Sequence, residues 1–359
     1  MSNARKLADN LPREGQLSGR NLIINGSCQV NQRGNSTGTT TQGYSGPDRF
    51  NLGINGRDQF AVSISQAADG PDGFTSSFKL QTTTPETSIT DTEYVIIRQI
   101  IEAQNLQHLN YGTASAKQLT ASFWVKSSVT GTFGIFMYQY DGGRTIGSTY
   151  TINSANTWEY KTVTFAGDTG GTINNDNGHG QYLAFTLAAG SDLTTTDNTS
   201  WGAYTAGKLG YGHSTNAVMT TTNATWQVTG VQLEVGPQAT PFEHESYDTT
   251  LEKCQRYYQK AGDGRTYGVV FNQHTGVDAY SCLRWWKPMR VAPTILSMTT
   301  SNYNIYNTGA SRSFSAIGIS QLSENSGEFY LTTQTLAAGS ATHCNTNGDL
   351  TMWRADAEL

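Results

Sequence analysis

Apolar and polar residues alternate with a period of two along most of this chain, the signature of strands buried on one face. Residues 119–126 show it cleanly: Leu119, Ala121, Phe123 and Val125 fall on one side, and Thr120, Ser122, Trp124 and Lys126 on the other. The same alternation places Phe60, Val62 and Ile64 together within a strand over 59–66. Further strands are expected at 48–52, 76–81, 94–101, 131–140, 158–165, 181–187 and 226–235. Residues 21–26 read as a short apolar strand turning at Asn25-Gly26 and continued by 29–31. Residues 34–46 read as a Gly/Ser/Thr loop, and 102–109 as a helical turn. Short strands joined by polar turns, with no sustained helical pattern between them, predict an all-β chain whose first part, 21–245, is an antiparallel jelly-roll sandwich.

The stretch 226–260 ends that sandwich. Gly236-Pro237 stops its last strand, because proline cannot donate to a ladder and glycine frees the backbone. Thr240-Pro241 keeps the chain extended, since the residue before proline is pushed out of the helical region. A short helix follows, with Asp248 or Thr249 as its cap, Glu252 three residues after Thr249, and Leu251, Cys254 and Tyr258 on one face. The expected division is therefore an N-terminal peptide (1–20), a sandwich (21–245), a connecting helix (246–261) and a second small β sandwich (262–359). Strands in the last region are expected at 266–272, 279–286, 294–296, 302–306, 313–319, 328–333 and 349–355. Residues 1–20 are polar, with Leu7 and Leu11 at helical spacing, too little to bury a face alone.

Composition supports the same picture. Only 14% of the 359 residues are charged, against about 25% in an average soluble protein. With 38 Gly, 18 Tyr, 13 Phe and 7 Trp, the chain suits short strands and polar turns better than helical bundles. The net charge of −5 is spread without a Lys/Arg cluster, so nucleic acid is not an expected partner. No apolar run reaches the roughly 18 residues that span a bilayer, so no membrane insertion is expected. The start, MSNARKLADNLP, has positive charge without an apolar stretch behind it and does not read as a secretory signal. The four cysteines, Cys28, Cys254, Cys282 and Cys344, lack metal-finger spacing and are expected as buried free thiols.

Three blocks carry a resemblance: NLIINGSCQVNQRG (21–34), RQIIEAQNLQHLNYGTASAKQLTASFWVKSS (98–128) and WQVTGVQLEVGPQATPFEHESYDTTLEKCQRYYQK (226–260), with the terminal WRADAEL (353–359). In this order they resemble the tail-fibre and related virion proteins of tailed bacteriophages. The resemblance implies a jelly roll like the carbohydrate-binding modules of glycan-degrading enzymes, followed by a small β domain. It implies a homotrimer made in the host cytoplasm and located on the virion. It further implies docking to other tail or head proteins through residues 1–20, with Arg5, Leu7 and Leu11 as contacts, and binding of host surface polysaccharide. The chain is short for a fibre and lacks a long shaft, which leaves a head-fibre or tail-appendage role open; a purely structural decoration or adaptor protein of head or tail is the alternative to a receptor-binding role. A structural calcium ion is common in the folds resembled, and no other cofactor is expected; the sequence singles out no calcium ligands.

Binding chemistry is better represented than catalysis. Sugars are recognised by flat aromatic faces against their C–H surfaces and by amides and carboxylates in the plane of their hydroxyls. Trp201, Tyr204 and Tyr211 lie in a Gly/Thr/Ser loop near Asp197, Asn198, Lys208 and His213, and are read as glycan-binding candidates against the alternative of packing over the sandwich end. Tyr303 and Tyr306, with Asn302, Asn304 and Asn307, form a second candidate, the alternative being an edge strand or trimer contact. Trp285 and Trp286 are adjacent and must face opposite ways on a strand; Trp124 and Trp158 read as core or interdomain packing. The carboxylate pairs a glycan depolymerase requires are offered only by Asp91/Glu93, Glu234/Glu243/Glu245 and Glu324/Glu328, each read as a turn or surface acid, so no enzyme is expected. Residues 175–180, NDNGHG, carry a faint metal-loop pattern but lack the later Glu of a calcium hand, and read as a polar hairpin tip.

Overall fold

A computed structural model describes residues 19–56, 59–261, 268–273, 278–296, 298, 303–307, 310–312, 314–333, 341–346 and 353–359. The chain divides into two compact units, Met1–Thr250 and Leu251–Leu359. Strands dominate both, as the alternation predicts.

The first unit contains β1 (Ser36–Thr39), β2 (Gly43–Tyr44), β3 (Asn51–Asn55), β4 (Ala61–Ala67), β5 (Ser77–Thr84), β6 (Tyr94–Glu102), β7 (Leu119–Ser127), β8 (Gly131–Gln139), β9 (Arg144–Ile152), β10 (Glu159–Phe165), β11 (His179–Ala189), β12 (Gly202–Ala203) and β13 (Thr225–Val235). A six-stranded sheet runs β1-β4-β5-β13-β7-β10 and a seven-stranded sheet runs β12-β9-β8-β11-β6-β3-β2. All their pairings are antiparallel. The two large sheets form the sandwich. Phe50, Phe78, Phe123, Phe133, Phe185 and Trp226 meet between them, each at most 2% exposed. Phe123 packs edge-on against both Tyr150 and Phe185, at 5.1 and 4.9 Å between centroids. The buried Trp226 Nε1–H donates to Tyr150 Oη at 3.1 Å, which satisfies the indole's only donor.

β13 changes phase halfway along. Trp226 and Val228 point into the core, and so do Val231 and Leu233, which a strict period of two forbids. A register shift between Thr229 and Gln232 against β7 supplies the extra residue. Gly230 occupies it at φ +61°, under the ring of Phe74. The amide of Val231 then donates to Gly26 O at 3.0 Å, so the bulge is stitched to the N-terminal turn.

That turn replaces the strand expected at 21–31. Asn25 takes φ +61° and Cys28 φ +57°. The Asn25 side chain donates to Val30 O and Asp48 O and accepts from the Val30 amide at 3.0 Å, so side-chain bonds stand where a ladder would. Conversely, the loop expected at 34–46 contains β1 and β2, and the strand expected at 48–52 begins only at Asn51. The helical turn expected at 102–109 is a 3-10 helix over Ala103–Leu109.

Two short α-helices follow β12 in the chain, α1 (Ala217–Thr220) and α2 (Tyr247–Gln255). The connecting helix expected over 246–261 is shorter than that, because Tyr258–Ala261 is a strand. Its cap also differs. Ser246 Oγ accepts from the Thr249 amide at 3.2 Å, ahead of the Asp248 or Thr249 anticipated.

The second unit contains β14 (Tyr258–Ala261), β15 (Gly268–Gln273), β16 (Asp278–Arg284), β17 (Thr294–Ile295), β18 (Tyr303–Asn307), β19 (Ala310–Arg312), β20 (Phe314–Ser320), β21 (Ser326–Thr333), β22 (Ala341–Thr346) and β23 (Trp353–Asp356). They make a three-stranded sheet, β14-β23-β17, and a seven-stranded sheet, β19-β18-β22-β15-β16-β21-β20. Phe271 and Phe329 meet edge-on at 5.0 Å, and Trp285 packs on Trp353 at 5.3 Å. The strand expected to run to 286 ends at Arg284, and just past it Trp285 is buried and Trp286 half exposed, both rings approaching Trp353. None of the four cysteines forms a disulfide; Cys28, Cys254 and Cys344 are buried, whereas Cys282 is exposed, on a strand position facing outward between Ser281 and Leu283.

A candidate binding face on the seven-stranded sheet

The core takes one side of β6, β8 and β11 through Val95, Ile97, Ile101, Phe133, Ile135, Met137, Leu183 and Phe185. The alternate residues point away from it. On that outward side Tyr138 of β8 stands directly opposite Tyr182 of β11. Their rings stack at 5.2 Å between centroids with 29° between planes. Phe136 closes the row edge-on to Tyr182 at 5.8 Å. Small Ala184 lies beside it, paired with Phe136 on one side and Arg98 on the other. The Arg98 guanidinium therefore reaches over the Tyr182 ring, 5.3 Å from its centroid. Its Nε donates to Asn51 Oδ1 at 2.9 Å, on the neighbouring β3. A planar cation fixed by an amide at one end is a rigid donor.

Two further tyrosines extend the row. Tyr204, brought by the loop after β12, meets Tyr138 edge-on at 5.2 Å, and its amide donates to Gly143 O at 2.8 Å. Tyr140 meets Tyr138 at 6.2 Å and His179 at 5.0 Å. Tyr140 is 56% and Tyr204 38% exposed, while Tyr94, Tyr138 and Tyr182 are half-buried. Burial pushes the Tyr138, Tyr182 and Tyr204 phenols above their ordinary range, and neighbouring phenols add to it. All three remain neutral O–H donors and acceptors at physiological pH. The result is an aromatic surface edged by a guanidinium, which the buried Asn51 orients, and by phenol hydroxyls. It presents ring faces and in-plane hydrogen-bonding groups together, which is what a pyranose ring requires.

Of the candidates read from the sequence, the structure brings only Tyr204 into this row. Trp201 is half-buried against the core, edge-on to Tyr111 at 5.8 Å, and its Nε1–H donates to Ala166 O at 2.6 Å. Tyr211 is half-buried and takes no part in the ring contacts of the row. Tyr303 is buried in the core of the second unit, and Tyr306 is 37% exposed three positions along the same strand. Arg5, Leu7, Leu11 and Asn302 lie outside the described residues. Asn304 and Asn307 lie on β18. Trp124 and Trp158, expected in packing, are half-buried on the outward side of the six-stranded sheet.

Five of the acids singled out earlier accept hydrogen bonds from neighbouring groups. Glu93 accepts from the Thr90 amide at 2.7 Å, and Asp91 from Ser191 Oγ at 2.6 Å. Glu234 accepts from the amide and hydroxyl of Thr240. Glu243 accepts from the consecutive amides of Gly19, Arg20 and Asn21, and Glu328 from Ser320 Oγ at 3.3 Å. In the 175–180 loop, Asp176 Oδ1 accepts from the Gly178 amide, and the backbone carbonyls of Asp176 and Gly178 accept from Gln104 and Ala103. Among the described residues no group of three or more His, Cys, Asp and Glu side chains converges as a metal site would, and no helix is long and apolar enough to cross a membrane.

No family model and no curated protein matches the sequence. Among solved structures, the enzymatically active domain of bacteriophage CBA120 tailspike protein 4 is similar at TM-score 0.36 and 14% identity, over 60% of this chain and 22% of that one. This chain thus spans about a fifth of that protein's length. The family 11 carbohydrate-binding module of cellulosomal cellulase Lic26A-Cel5E from Clostridium thermocellum is similar at TM-score 0.29 and 15% identity, over 56% of this chain and 100% of the module. The module TmCBM61, solved with beta-1,4-galactotriose, is similar at TM-score 0.30 and 9% identity, over 60% of this chain and 99% of the module.

Proposed function

We propose that this chain is a non-enzymatic glycan-binding protein of a bacteriophage virion, a tail fibre or similar appendage. In this reading it binds host surface polysaccharide through the row Tyr140–Tyr138–Tyr182–Arg98. The observation that supports the binding half is the stack of Tyr138 on Tyr182, on the side of the sheet turned away from the sandwich interior, where both rings lie half-buried beside a second apolar cluster of Ile96, Phe136, Ala184 and Leu193. Half-buried aromatic rings gain by covering with an apolar sugar face, and the Arg98 guanidinium, oriented by the buried Asn51, supplies directional bonds to hydroxyls. The virion half rests on the sequence blocks at 21–34, 98–128 and 226–260, as do a homotrimeric assembly and docking through residues 1–20.

The test is an array of neutral α- and β-linked hexose oligosaccharides of four to six units, probed with the full chain and with a Tyr138→Ala/Tyr182→Ala variant. Binding by the full chain that falls at least tenfold in the variant supports the reading. Equal binding by the two, or binding by neither, overturns it.

A further inference from the structure

The six-stranded sheet also turns one side away from the core, and one corner of it is built differently from the rest. Along β4 and β5 that side carries Ser63, Ser65, Lys79 and Gln81, an ordinary solvated surface. At the other edge, Trp124 of β7 stands in register opposite Tyr160 of β10. Their rings lie 5.3 Å apart at 51°. Tyr160 is 46% exposed and Trp124 half-buried. The core does not need them, because Phe123 and Val125 fill the inward positions on either side of Trp124.

A third ring is fixed beside them. The Trp158 indole, just before β10, donates its Nε1–H to Asp69 Oδ1 at 3.3 Å. The Lys126 ammonium lies 5.0 Å above the same ring and pairs with the other oxygen of Asp69. This contact with Lys126 holds the Asp69 carboxyl below its usual range, so the pair stays ionised. Two charges of opposite sign thus hold an indole in one orientation without giving the corner a net charge. The Asp69 side chain is still 41% exposed, so it has acceptor capacity left.

We propose that Trp124, Trp158 and Tyr160 form a second glycan-binding site, with Asp69 and Lys126 as positioning residues that also meet hydroxyls. The pair leaves the corner no net positive charge to attract an anionic sugar, so its ring faces suit an uncharged hexopyranose. The site lies on the opposite side of the sandwich from the tyrosine row, so one glycan segment cannot cover both. Each chain would then grip two segments of polysaccharide, and the second contact gains from the effective concentration set by the first. This rests on the glycan-binding reading above, but it fails or stands on different residues.

The two sites are separable by spectroscopy, because the tyrosine row contains no tryptophan. The same oligosaccharide array is probed with three proteins: the full chain, the Tyr138→Ala/Tyr182→Ala variant and a Trp124→Ala/Tyr160→Ala variant. Circular dichroism and thermal midpoints confirm that each is folded. The best array ligand is then titrated by calorimetry and by tryptophan emission. Two ligands per chain are expected, with an emission shift that persists in the tyrosine-row variant and disappears in the corner variant. The corner variant should keep one site and lose at least tenfold in retention on the immobilised ligand. A Lys126→Met change, which keeps all three rings, should weaken the emission-linked site about tenfold and leave the other unchanged. One ligand per chain with full binding by the corner variant overturns the second site and leaves the tyrosine row intact. Full binding by the tyrosine-row variant overturns the row and leaves the corner. No binding by the full chain overturns both.

Discussion

Tyr138 and Tyr182 occupy paired positions on β8 and β11 and stack 5.2 Å apart, on the side of their sheet that points away from every buried phenylalanine of the sandwich except Phe136. Both rings are half-buried beside a second apolar cluster, and a sugar face is a covering that their exposed parts suit. Replacing Tyr182 alone by Phe keeps the stack and removes one hydroxyl. Glycan affinity should then fall severalfold, against tenfold or more for Tyr182→Ala, and calorimetry on the best array ligand reads the difference.

His213 gives the first unit an acid sensitivity. Burial pushes its imidazole down to about 4, with bonds to Asn216 and the Thr215 backbone working the other way. Nδ1 accepts from the Gly134 amide at 3.4 Å, and Nε2 has no partner among the described residues. The unfolded chain takes up this proton near pH 6.5 and the folded one only near 4, so stability is full above 6.5 and falls as pH drops between the two values. The loss is on the order of 3 kcal/mol. Urea midpoints measured at pH 7 and pH 4.5 should separate by more in the native protein than in a His213→Gln variant; parallel curves would contradict this.

Tyr150 is the acceptor for the only donor of the buried Trp226. Tyr150→Phe leaves that N–H without a partner in the core, at a cost of about 1–3 kcal/mol. Denaturant unfolding should show the loss without a change in slope.

Gly230 sits at φ +61°, and a Cβ there would lie 2.7 Å from the ring of Phe74. Gly230→Ala should cost roughly 1–3 kcal/mol through left-handed backbone strain and displacement of that ring. A companion Phe74→Leu change should recover part of the loss if the ring contact matters.

The Glu243 carboxylate holds three successive amides, and the Arg20 guanidinium donates to Pro241 O at 2.6 Å. Glu243→Ala should expose the peptide bond after Arg20 to trypsin. Mass spectrometry of a limited digest should find a fragment beginning at Asn21 earlier than in the native protein.

Alternation along 119–126 and 59–66 was enough to say which of their residues enter the core, and the strands expected at 131–140 and 181–187 are present as well. That follows because a strand sends neighbouring side chains to opposite faces whatever it pairs with. The same logic misread 21–31, where one side chain, Asn25, captures the backbone groups a ladder would use. Alternation placed Trp124 on the outward face, where it lies; the separate expectation of core packing for it did not allow for Phe123 and Val125 filling the inward positions. The tyrosine row could not be read at all. Tyr138, Tyr182, Arg98 and Asn51 come from four strands, and each looks locally like a polar-face residue. By itself the sequence determined the strands, the absence of long helices among them and the aromatic wealth of the surface. Only the tertiary structure decided which rings meet, because strand order and register, set by long-range pairing, bring residues forty or more positions apart to the same few ångströms.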